Sequence, residues 1–409
     1  MVEFKNLVIN LKEFVGKYRN RFLVMGLMLN KVIIILFLLF GITGCLPKPK
    51  PRTGDFNAMV IDDLTGEAIP GVRVLIGEKE YSTNLKGQFS MAGLSPDNYQ
   101  IKMNRAWYEP KAIVYKHLGK PAPVHFYLKP ERLYGRIYYS YDEGKNKEIY
   151  ELILSNRLVN KVLSIPGSSE TNPTWSMAGK LGIESDSNGS KIFLYDVFEG
   201  KPGKLSDQSL LAAEHPSLDN TGTNMVCKKK SESGLAIVLY DLRNNKQVIE
   251  YSKSGYNPVI SPDGKMVAYV SGNYTKLYII EDLLNPDKSL REFSLTGYKF
   301  NNPCFSPDGS KIVFEAYEKS DGARAIYCIS VKPLATEMWQ ITFPLREIEQ
   351  HKHPTWSADN IIYFSGNIIY SSRNDIYAVR FNESSNLNNN PWIMVSKGSG
   401  NKLYPCWGN

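Results

Sequence analysis

Hydrophobic and polar residues follow two different patterns along the chain. Residues 32–40 form one uninterrupted apolar run, whereas from residue 54 onward apolar residues come in short groups that alternate with polar ones. Alternation with a period of two is typical of β-strands that bury one face, and Gly, Pro and Asp between the groups are typical of tight turns. We therefore predict an all-β protein that follows an apolar N-terminal segment.

The first group of predicted strands occupies residues 54–130. Turn signals separate them, such as Asp-Asp-Leu-Thr-Gly at residues 62–66 and Lys-Gly at residues 86–87. Strands of four to six residues at this spacing predict a small antiparallel β-sandwich. The predicted strands are residues 56–61, 72–76, 81–84, 88–91, 98–103 and 124–128.

A repeated motif organises residues 131–409. A strand centred on a proline recurs six times, and successive prolines are 43, 42, 45, 51 and 51 residues apart. Each of these strands except the last leads into a turn, a second strand and a third strand that contains a tyrosine. This period suits one four-stranded blade of a β-propeller. The six prolines, called the anchor prolines below, are Pro173, Pro216, Pro258, Pro303, Pro354 and Pro405.

The two ends of the repeat region complement each other. Residues 131–166 supply three strands with no proline strand before them, and residues 403–407 are a proline strand with no blade after it. Joining the two gives six blades and leaves no large open sheet edge. We therefore predict a six-bladed ring whose C-terminal strand is the innermost strand of blade one.

The apolar segment near the N-terminus ends in a cysteine. Its length is typical of a signal-peptide core and short for a membrane span. The sequence Ile-Thr-Gly-Cys at residues 42–45 resembles the lipobox of bacterial lipoproteins. This resemblance implies a signal peptide over residues 1–44, a lipid on Cys45 and an extended Pro/Lys tether to residue 53. A plain transmembrane anchor or a buried apolar helix with an incidental cysteine is the alternative.

The predicted signal peptide is long, because about thirty residues precede its apolar core. Translation from Met25 or Met28 would leave a leader of ordinary length. Leu46 follows the cysteine, and in Gram-negative lipoproteins a residue other than Asp at this position favours the outer membrane. We therefore expect a lipid-anchored protein of the cell envelope, at the outer membrane and facing the periplasm or the cell surface.

Residues 65–74, 83–89 and 94–101 carry a further resemblance. Their pattern of Thr-Gly, Ile-Pro-Gly-Val, Gly-x-Phe and Leu…Tyr-x-Ile is similar to that of carboxypeptidase regulatory-like domains. The resemblance implies a transthyretin-like sandwich over residues 54–130. Domains of that family have no catalytic residues and act as rigid spacers or binding modules.

The repeats of residues 131–409 resemble TolB-type propellers, whose blades contain a Pro-x-Trp-Ser-Pro-Asp-Gly motif. The turns at residues 261–264 and 306–309 match its last four residues, Ser-Pro-Asp-Gly. The turns at 177–179, 220–222 and 358–360 depart from this sequence and are expected to be looser. Propellers of this type dock peptides or lipoproteins on one face of the ring. The resemblance therefore implies an interaction protein.

Composition and charge exclude two classes of protein. With 43% hydrophobic and 12% aromatic residues, most of the chain is able to bury enough apolar surface to fold. The net charge is +8, but half of this excess lies in residues 1–45, and no aromatic motif accompanies a basic stripe. We therefore predict no nucleic-acid partner.

The sequence has no motif for catalysis or for cofactor binding. It contains no nucleophile elbow, no Walker A loop, no dinucleotide-binding fingerprint and no zinc-protease motif. We therefore predict no catalytic residue and no cofactor. Four cysteines besides Cys45 lie in strand-like runs without a C-x-x-C pair, so we expect small buried hydrophobic residues with no metal or redox role. They are Cys227, Cys304, Cys328 and Cys406.

Two histidines occupy equivalent positions in the repeat. His215 and His353 directly precede their anchor prolines, where other blades have Asn or Tyr, and they fall in blades three and six. If this position faces the channel, the two imidazoles could share a cation. The alternative is a position that caps a strand and accepts any polar residue, and on that interpretation we assign no metal site.

Two classes of function remain. The first is a non-catalytic interaction protein, anchored to a membrane by its lipid, that binds an envelope protein or a cell-wall-associated ligand through its propeller. The second is a lyase or lactonase of the propeller type that uses a metal in the channel.

Overall fold

The computed structural model describes residues 55–408, apart from residues 120–122, 188, 190, 199–200, 204–211, 232–233, 253, 319–321, 347, 369–371 and 382–390. The predicted signal peptide, Cys45 and the Pro/Lys tether therefore lie outside the described residues. Within this described part, no helix is both long and apolar enough to cross a membrane.

The first seven strands form two small sheets, with strand orders β4-β1-β7 and β3-β2-β5-β6. Alternate residues point inward, and Val60, Val74 and Leu128 are fully buried between the sheets. This confirms the predicted sandwich. The strands are β1 (Phe56–Asp62), β2 (Arg73–Ile76), β3 (Lys79–Ser82), β4 (Gln88–Met91), β5 (Asp97–Asn104), β6 (Lys111–His117) and β7 (Pro123–Leu128).

One pairing in the sandwich differs from the expected antiparallel arrangement. Strands β1 and β7 run parallel, with Ala58 opposite Val124 and Val60 opposite Phe126. A parallel pair needs a long crossover, and the five strands between β1 and β7 provide it. Strand β2 pairs antiparallel with β3 and β5, as expected.

Six four-stranded antiparallel sheets follow, one for each predicted blade. One short helix, α1 (Pro286–Ser289), lies in the fourth. The strands are β8 (Arg136–Asp142), β9 (Glu148–Ile153), β10 (Leu158–Leu163), β11 (Glu170–Trp175), β12 (Lys180–Ser185), β13 (Lys191–Asp196), β14 (Lys201–Gly203), β15 (Ala213–Leu218), β16 (Asn224–Ser231), β17 (Gly234–Asp241), β18 (Lys246–Ser252), β19 (Gly255–Ile260), β20 (Val267–Ser271), β21 (Leu277–Ile280), β22 (Leu290–Phe293), β23 (Tyr298–Phe305), β24 (Lys311–Glu318), β25 (Ala325–Ser330), β26 (Trp339–Gln340), β27 (His351–Trp356), β28 (Ile361–Gly366), β29 (Asp375–Arg380), β30 (Trp392–Met394) and β31 (Asn401–Gly408).

The ring closes between its two ends. Strand β31 pairs antiparallel with β8, with Leu403 opposite Ser140 and Trp407 opposite Ile137. It also contacts β11 of blade two and β27 of blade six, so the innermost strands β31, β11, β15, β19, β23 and β27 follow one another around the channel. This confirms that the C-terminal strand completes blade one.

The core lies between neighbouring blades. Every residue of β20 is buried, because both faces of this central strand are covered by adjacent sheets. Between blades four and five, Ala268 and Ile279 belong to the same apolar cluster as Phe300 and Phe314. The nearly continuous apolar runs of the second and third strands thus reflect burial on two faces.

The turn after each innermost strand has the same backbone hydrogen bond in all five repeats that contain it. The Gly264 and Gly309 amides donate to the Ser261 and Ser306 carbonyls over 2.8 and 2.9 Å. The three turns that depart from the motif keep this bond, with distances of 3.0 to 3.2 Å. Loss of the Pro-Asp-Gly sequence therefore lengthens this hydrogen bond only slightly.

Most of the sandwich belongs to the same compact unit as the propeller, which comprises Asn57–Ser90, Asp97–Lys116 and Pro123–Asn409. The Trp107 indole donates a hydrogen bond of 2.7 Å to the Pro391 carbonyl. The Arg380 guanidinium lies 4.3 Å from the centre of the Trp107 ring and forms an ion pair with Glu131. The Arg373 guanidinium also lies 3.8 Å from the Glu67 carboxylate. Blade six thus contacts the sandwich through two arginines and the Pro391 carbonyl.

Candidate functional site

A channel runs along the innermost strands and contains two chambers. The larger chamber, of about 250 Å³, has a mostly apolar lining and is called the apolar chamber below. The smaller one, of about 120 Å³, is called the polar chamber. All six anchor prolines line both chambers, so they mark the level at which the two meet.

The residues that directly precede the anchor prolines line the polar chamber. Their φ angles lie between 44° and 52°, in the left-handed region. In each blade the register between the first and second strands shifts at this point, as between Glu214 and Ser217 in blade three. Such a β-bulge interrupts the alternation of the strand, so two consecutive residues reach the channel. The six residues are Asn172, His215, Asn257, Asn302, His353 and Tyr404.

Charged side chains behind this ring are mostly paired with one another. The Lys228 ammonium lies 2.5 Å from the Glu214 carboxylate, and the Arg324 guanidinium lies 2.9 Å from the Glu315 carboxylate. Both pairs are partly or fully buried. The Glu184 carboxylate and the Lys352 ammonium add one charge of each sign beside the ring.

Glu184 holds two neighbouring ring residues in place. Its Oε2 atom accepts hydrogen bonds from the Asn172 side-chain amide over 2.7 Å and from the His215 backbone amide over 2.9 Å. This bond fixes the side chain of Asn172 through its NH₂ group. The side-chain oxygen, Oδ1, takes no part in it.

His215 and His353, which the repeat places at equivalent positions, both line the polar chamber. Burial lowers the pKa of His215 and lowers that of His353 to about 3, so both imidazoles are neutral near pH 7. The His353 ring lies 4.0 Å from the Tyr404 ring, centre to centre. Its Nδ1 atom is buried and has no hydrogen-bond partner among the described residues.

Metal-ligating side chains are sparse at this chamber. No group of three or more His, Cys, Asp or Glu side chains suited to a metal ion occurs in the part of the chain that the structure describes. A cation shared by His215 and His353 therefore stays the alternative to our assignment of no metal site.

The residues two positions after the anchor prolines line the apolar chamber. Trp356 is only 5% exposed, and its indole N–H has no hydrogen-bond partner within the described residues. The same holds for the indole N–H of Trp175. The six residues are Trp175, Leu218, Ile260, Phe305, Trp356 and Trp407.

The residues directly after the anchor prolines connect neighbouring blades. The Thr174, Ser217 and Thr355 hydroxyls each accept a hydrogen bond from a backbone amide of the next blade, over 3.1 to 3.2 Å. Cys304 and Cys406 occupy the equivalent positions, and their thiols lie close to the Trp356 and Trp175 backbones of the next blades. They donate to the Phe305 and Trp407 carbonyls, over 3.5 and 3.8 Å. We call this set the inter-blade ring.

The four described cysteines therefore fall into two groups. Cys227 and Cys328 are buried, as predicted, whereas Cys304 and Cys406 are half-buried and line the apolar chamber. No disulfide joins any of them in the described structure. Burial raises the pKa of Cys304 to about 11 and that of Cys406 to about 12, so both stay protonated near pH 7.

Blade two contributes an exposed apolar edge to the apolar chamber. Met177 is 52% exposed and occupies the turn position that holds Pro262 and Pro307 in blades four and five. Phe198 is 74% exposed, and its ring stands edge-on to Trp175 at 6.4 Å. The sequence marked this turn as a departure from the motif but did not indicate its role at the mouth of the chamber.

No family model matches the sequence, and no curated protein matches it. Among solved structures, TolB from Acinetobacter baumannii is similar over 76% of this chain and 80% of that one, with a TM-score of 0.54 and 15% identity. A putative TolB from Agrobacterium tumefaciens is similar over 66% and 91%, with a TM-score of 0.50 and 16% identity.

A structure of a nidogen/laminin complex is also similar, over 66% of this chain and 98% of that chain, with a TM-score of 0.51 and 11% identity. At these identities the likeness concerns the fold alone. Residues 131–408 thus have the fold of TolB-like propellers.

Proposed function

We propose that the chain is a lipid-anchored envelope protein that binds a partner protein, without catalysis, at the apolar chamber of its propeller. The observation that carries this proposal is the exposed apolar edge formed by Met177 and Phe198 beside a chamber lined with aromatic residues. Exposed apolar surface next to a concave apolar cavity is typical of a site that another protein covers.

The chamber offers both apolar contact and hydrogen-bond donors to a partner. The indole N–H groups of Trp175 and Trp356 are buried without partners in the described structure, and such donors cost free energy unless they are satisfied. If the indole rings turn toward the chamber on binding, a backbone carbonyl of the bound segment would accept from them. Tryptophan is also among the residues that contribute most to protein–protein binding.

The ring makes this site rigid before any partner arrives. Anchor prolines fix the backbone on every side of the channel, and hydroxyls of the inter-blade ring join innermost strands by hydrogen bonds at three of the six junctions. A site that is already ordered loses little conformational entropy on binding. A rigid concave platform suits the capture of a partner.

Anchoring at Cys45 and an envelope location are part of the same proposal. They rest on the lipobox at residues 42–45 and on the Pro/Lys tether that follows it. A lipid at this position would hold the propeller near a membrane, where its partner would be an envelope protein or a cell-wall-associated ligand.

A pull-down from intact, cross-linked cells tests the site. We expect Met177→Asp to abolish recovery of the partner, because a carboxylate at the chamber mouth would have to be desolvated on binding. Leu284→Asp is the control, since Leu284 is 81% exposed and does not line the chamber. Equal recovery with both variants, at unchanged melting temperature, would contradict the proposed site.

The alternative, a lyase or lactonase with a metal in the channel, is supported by the common location of His215 and His353 at the polar chamber. Metal analysis of the purified protein tests it. One tightly bound metal ion per chain, lost when both histidines are changed to Gln, would favour the enzyme over the scaffold.

A further inference from the structure

The polar chamber has features of a second, separate binding site. We propose that it binds an uncharged, hydroxyl-rich group, namely the end of a neutral oligosaccharide. This site is lined by different side chains from those that carry the proposed protein contact. Sugar binding at the polar chamber can therefore be tested independently of the protein contact.

The side chains of the ring suit hydroxyl groups. Three amides, two imidazoles and one phenol surround the chamber, and each of these groups both donates and accepts hydrogen bonds. A sugar hydroxyl also does both, so a ring of this kind matches several hydroxyls at once. The anchor prolines between them add C–H surface, which suits the apolar face of a sugar ring.

The backbone is costly at one ring position. All six positions are left-handed, a conformation that Gly, Asn and His adopt more readily than other residues. Tyr404, with φ of 52°, belongs to none of these types. Backbone strain of this kind concentrates at functional sites, so we attribute the tyrosine at this position to what its side chain does in the chamber.

Charges of both signs lie beside the ring. Within each of the Glu214–Lys228 and Glu315–Arg324 pairs the charges cancel, and the Glu184 carboxylate and the Lys352 ammonium add one further charge of each sign. Glu184, which holds Asn172, would repel an anionic sugar placed beside it. An uncharged ligand avoids this repulsion and needs no counter-charge.

His353 lines the chamber, and its buried Nδ1 atom has no partner among the described residues. The chamber volume of about 120 Å³ equals that of about four water molecules at ~30 Å³ each, so it has room for a few hydroxyl groups of one terminal sugar. A small turn of the His353 ring toward such a hydroxyl would supply the missing hydrogen bond.

Calorimetric titration of the full-length protein tests the proposal. The probes are the neutral tetrasaccharides of N-acetylglucosamine, glucose and galactose, with the anionic tetramer of galacturonic acid and Mn²⁺ for comparison. We expect at least one neutral tetrasaccharide to bind with a Kd of about 1 mM or tighter. Asn302→Gly and His353→Gly should each weaken this binding by about tenfold or more.

Glycine variants keep the backbone conformation, because glycine adopts positive φ without strain. Asn360→Gly is the matched control, since Asn360 has φ of 60° in an exposed turn and does not line the polar chamber. It should bind the sugar as the wild type does. Met177→Asp should also bind it normally, which separates this site from the protein-binding site.

Three results would overturn the proposal. They are an absence of binding for all three neutral tetrasaccharides, binding of the galacturonic acid tetramer or Mn²⁺ alone, and sugar binding that survives both glycine variants unchanged.

Discussion

Five blades have a hydrogen-bonding side chain directly after the anchor proline, and blade four has Val259 instead. The Val259 side chain therefore cannot accept a hydrogen bond from the Phe305 backbone amide of blade five. The hydroxyls at the equivalent positions of blades two, three and six do accept such a bond from the next blade. We predict that Val259→Thr completes the inter-blade ring and raises the free energy of unfolding by about 1 kcal/mol, the typical value of one hydrogen bond.

Val267→Thr is the control for this substitution, because Val267 is fully buried in the apolar core of the same blade. A hydroxyl there has no acceptor or donor position to fill and should destabilise the protein. Urea unfolding measures both variants. If Val259→Thr destabilises the protein as Val267→Thr does, the ring makes no contribution at this junction.

A buried histidine makes the stability of the propeller depend on pH. His351 is 1% exposed, its Nδ1 atom lies 2.8 Å from the Thr342 hydroxyl, and burial lowers its pKa to about 3. The unfolded chain takes up a proton near pH 6.5 and the folded chain only near pH 3, so acid favours unfolding. From pH 7 to pH 5 this group should cost about 2 kcal/mol.

His351→Gln removes the titrating group and keeps a side chain that can bond Thr342. Although it is less stable than the wild type at pH 7, its free energy of unfolding should change less between pH 7 and pH 5. The comparison uses urea unfolding at the two pH values. An identical pH dependence in both proteins would show that His351 is not the responsible group.

Among the strands of the propeller, β31 is the one that closes the ring. It pairs with β8, and its Trp407 amide donates to Thr355 of blade six. The Lys402 ammonium is buried at its start, 2.9 Å from the Asp375 carboxylate and within 3.0 to 3.2 Å of three backbone carbonyls. This strand therefore connects blade one to blade six by backbone and side-chain bonds.

We predict that removal of residues 403–409 lowers the melting temperature by far more than removal of a frayed tail would. The truncation exposes the unpaired edge of β8 and the apolar faces of two blades, and neighbouring blades share their stability. Calorimetry measures the effect. A melting temperature within one or two degrees of that of the full-length protein would contradict the role given to β31.

The strands were more predictable than their geometry. The proline spacing predicted six blades and the closing strand, because each blade buries the same faces and therefore repeats the same pattern. The parallel pairing of β1 with β7 was not predictable in this way, since a period of two does not specify strand direction.

The candidate sites were predictable only in part. The sequence placed His215 and His353 in equivalent positions, and the structure brings them to one chamber. It did not indicate the positive φ at these positions, the inter-blade ring or the exposure of Phe198, which comes from a connection with no counterpart in the repeat motif. A comparison of the residues directly after each proline would have revealed the ring.

At the scale of the whole molecule, the proposed lipid anchor determines where the propeller acts. We predict that Cys45→Ser abolishes lipidation and leaves an unprocessed precursor, because the thiol is the group that accepts the lipid. Metabolic labelling with a palmitate analogue checks this, with the wild type as reference. Absence of label on the wild-type protein would contradict the proposed lipid anchor at Cys45.

The central claim is that the apolar chamber of the propeller is where a partner protein binds. Photo-cross-linking in intact cells tests it most directly, with a photoreactive amino acid placed at Phe198 beside the chamber or, as a control, at Leu284 away from it. The account predicts a discrete cross-linked product from position 198 and none from position 284. A product from position 284 alone, or from neither position, would contradict it.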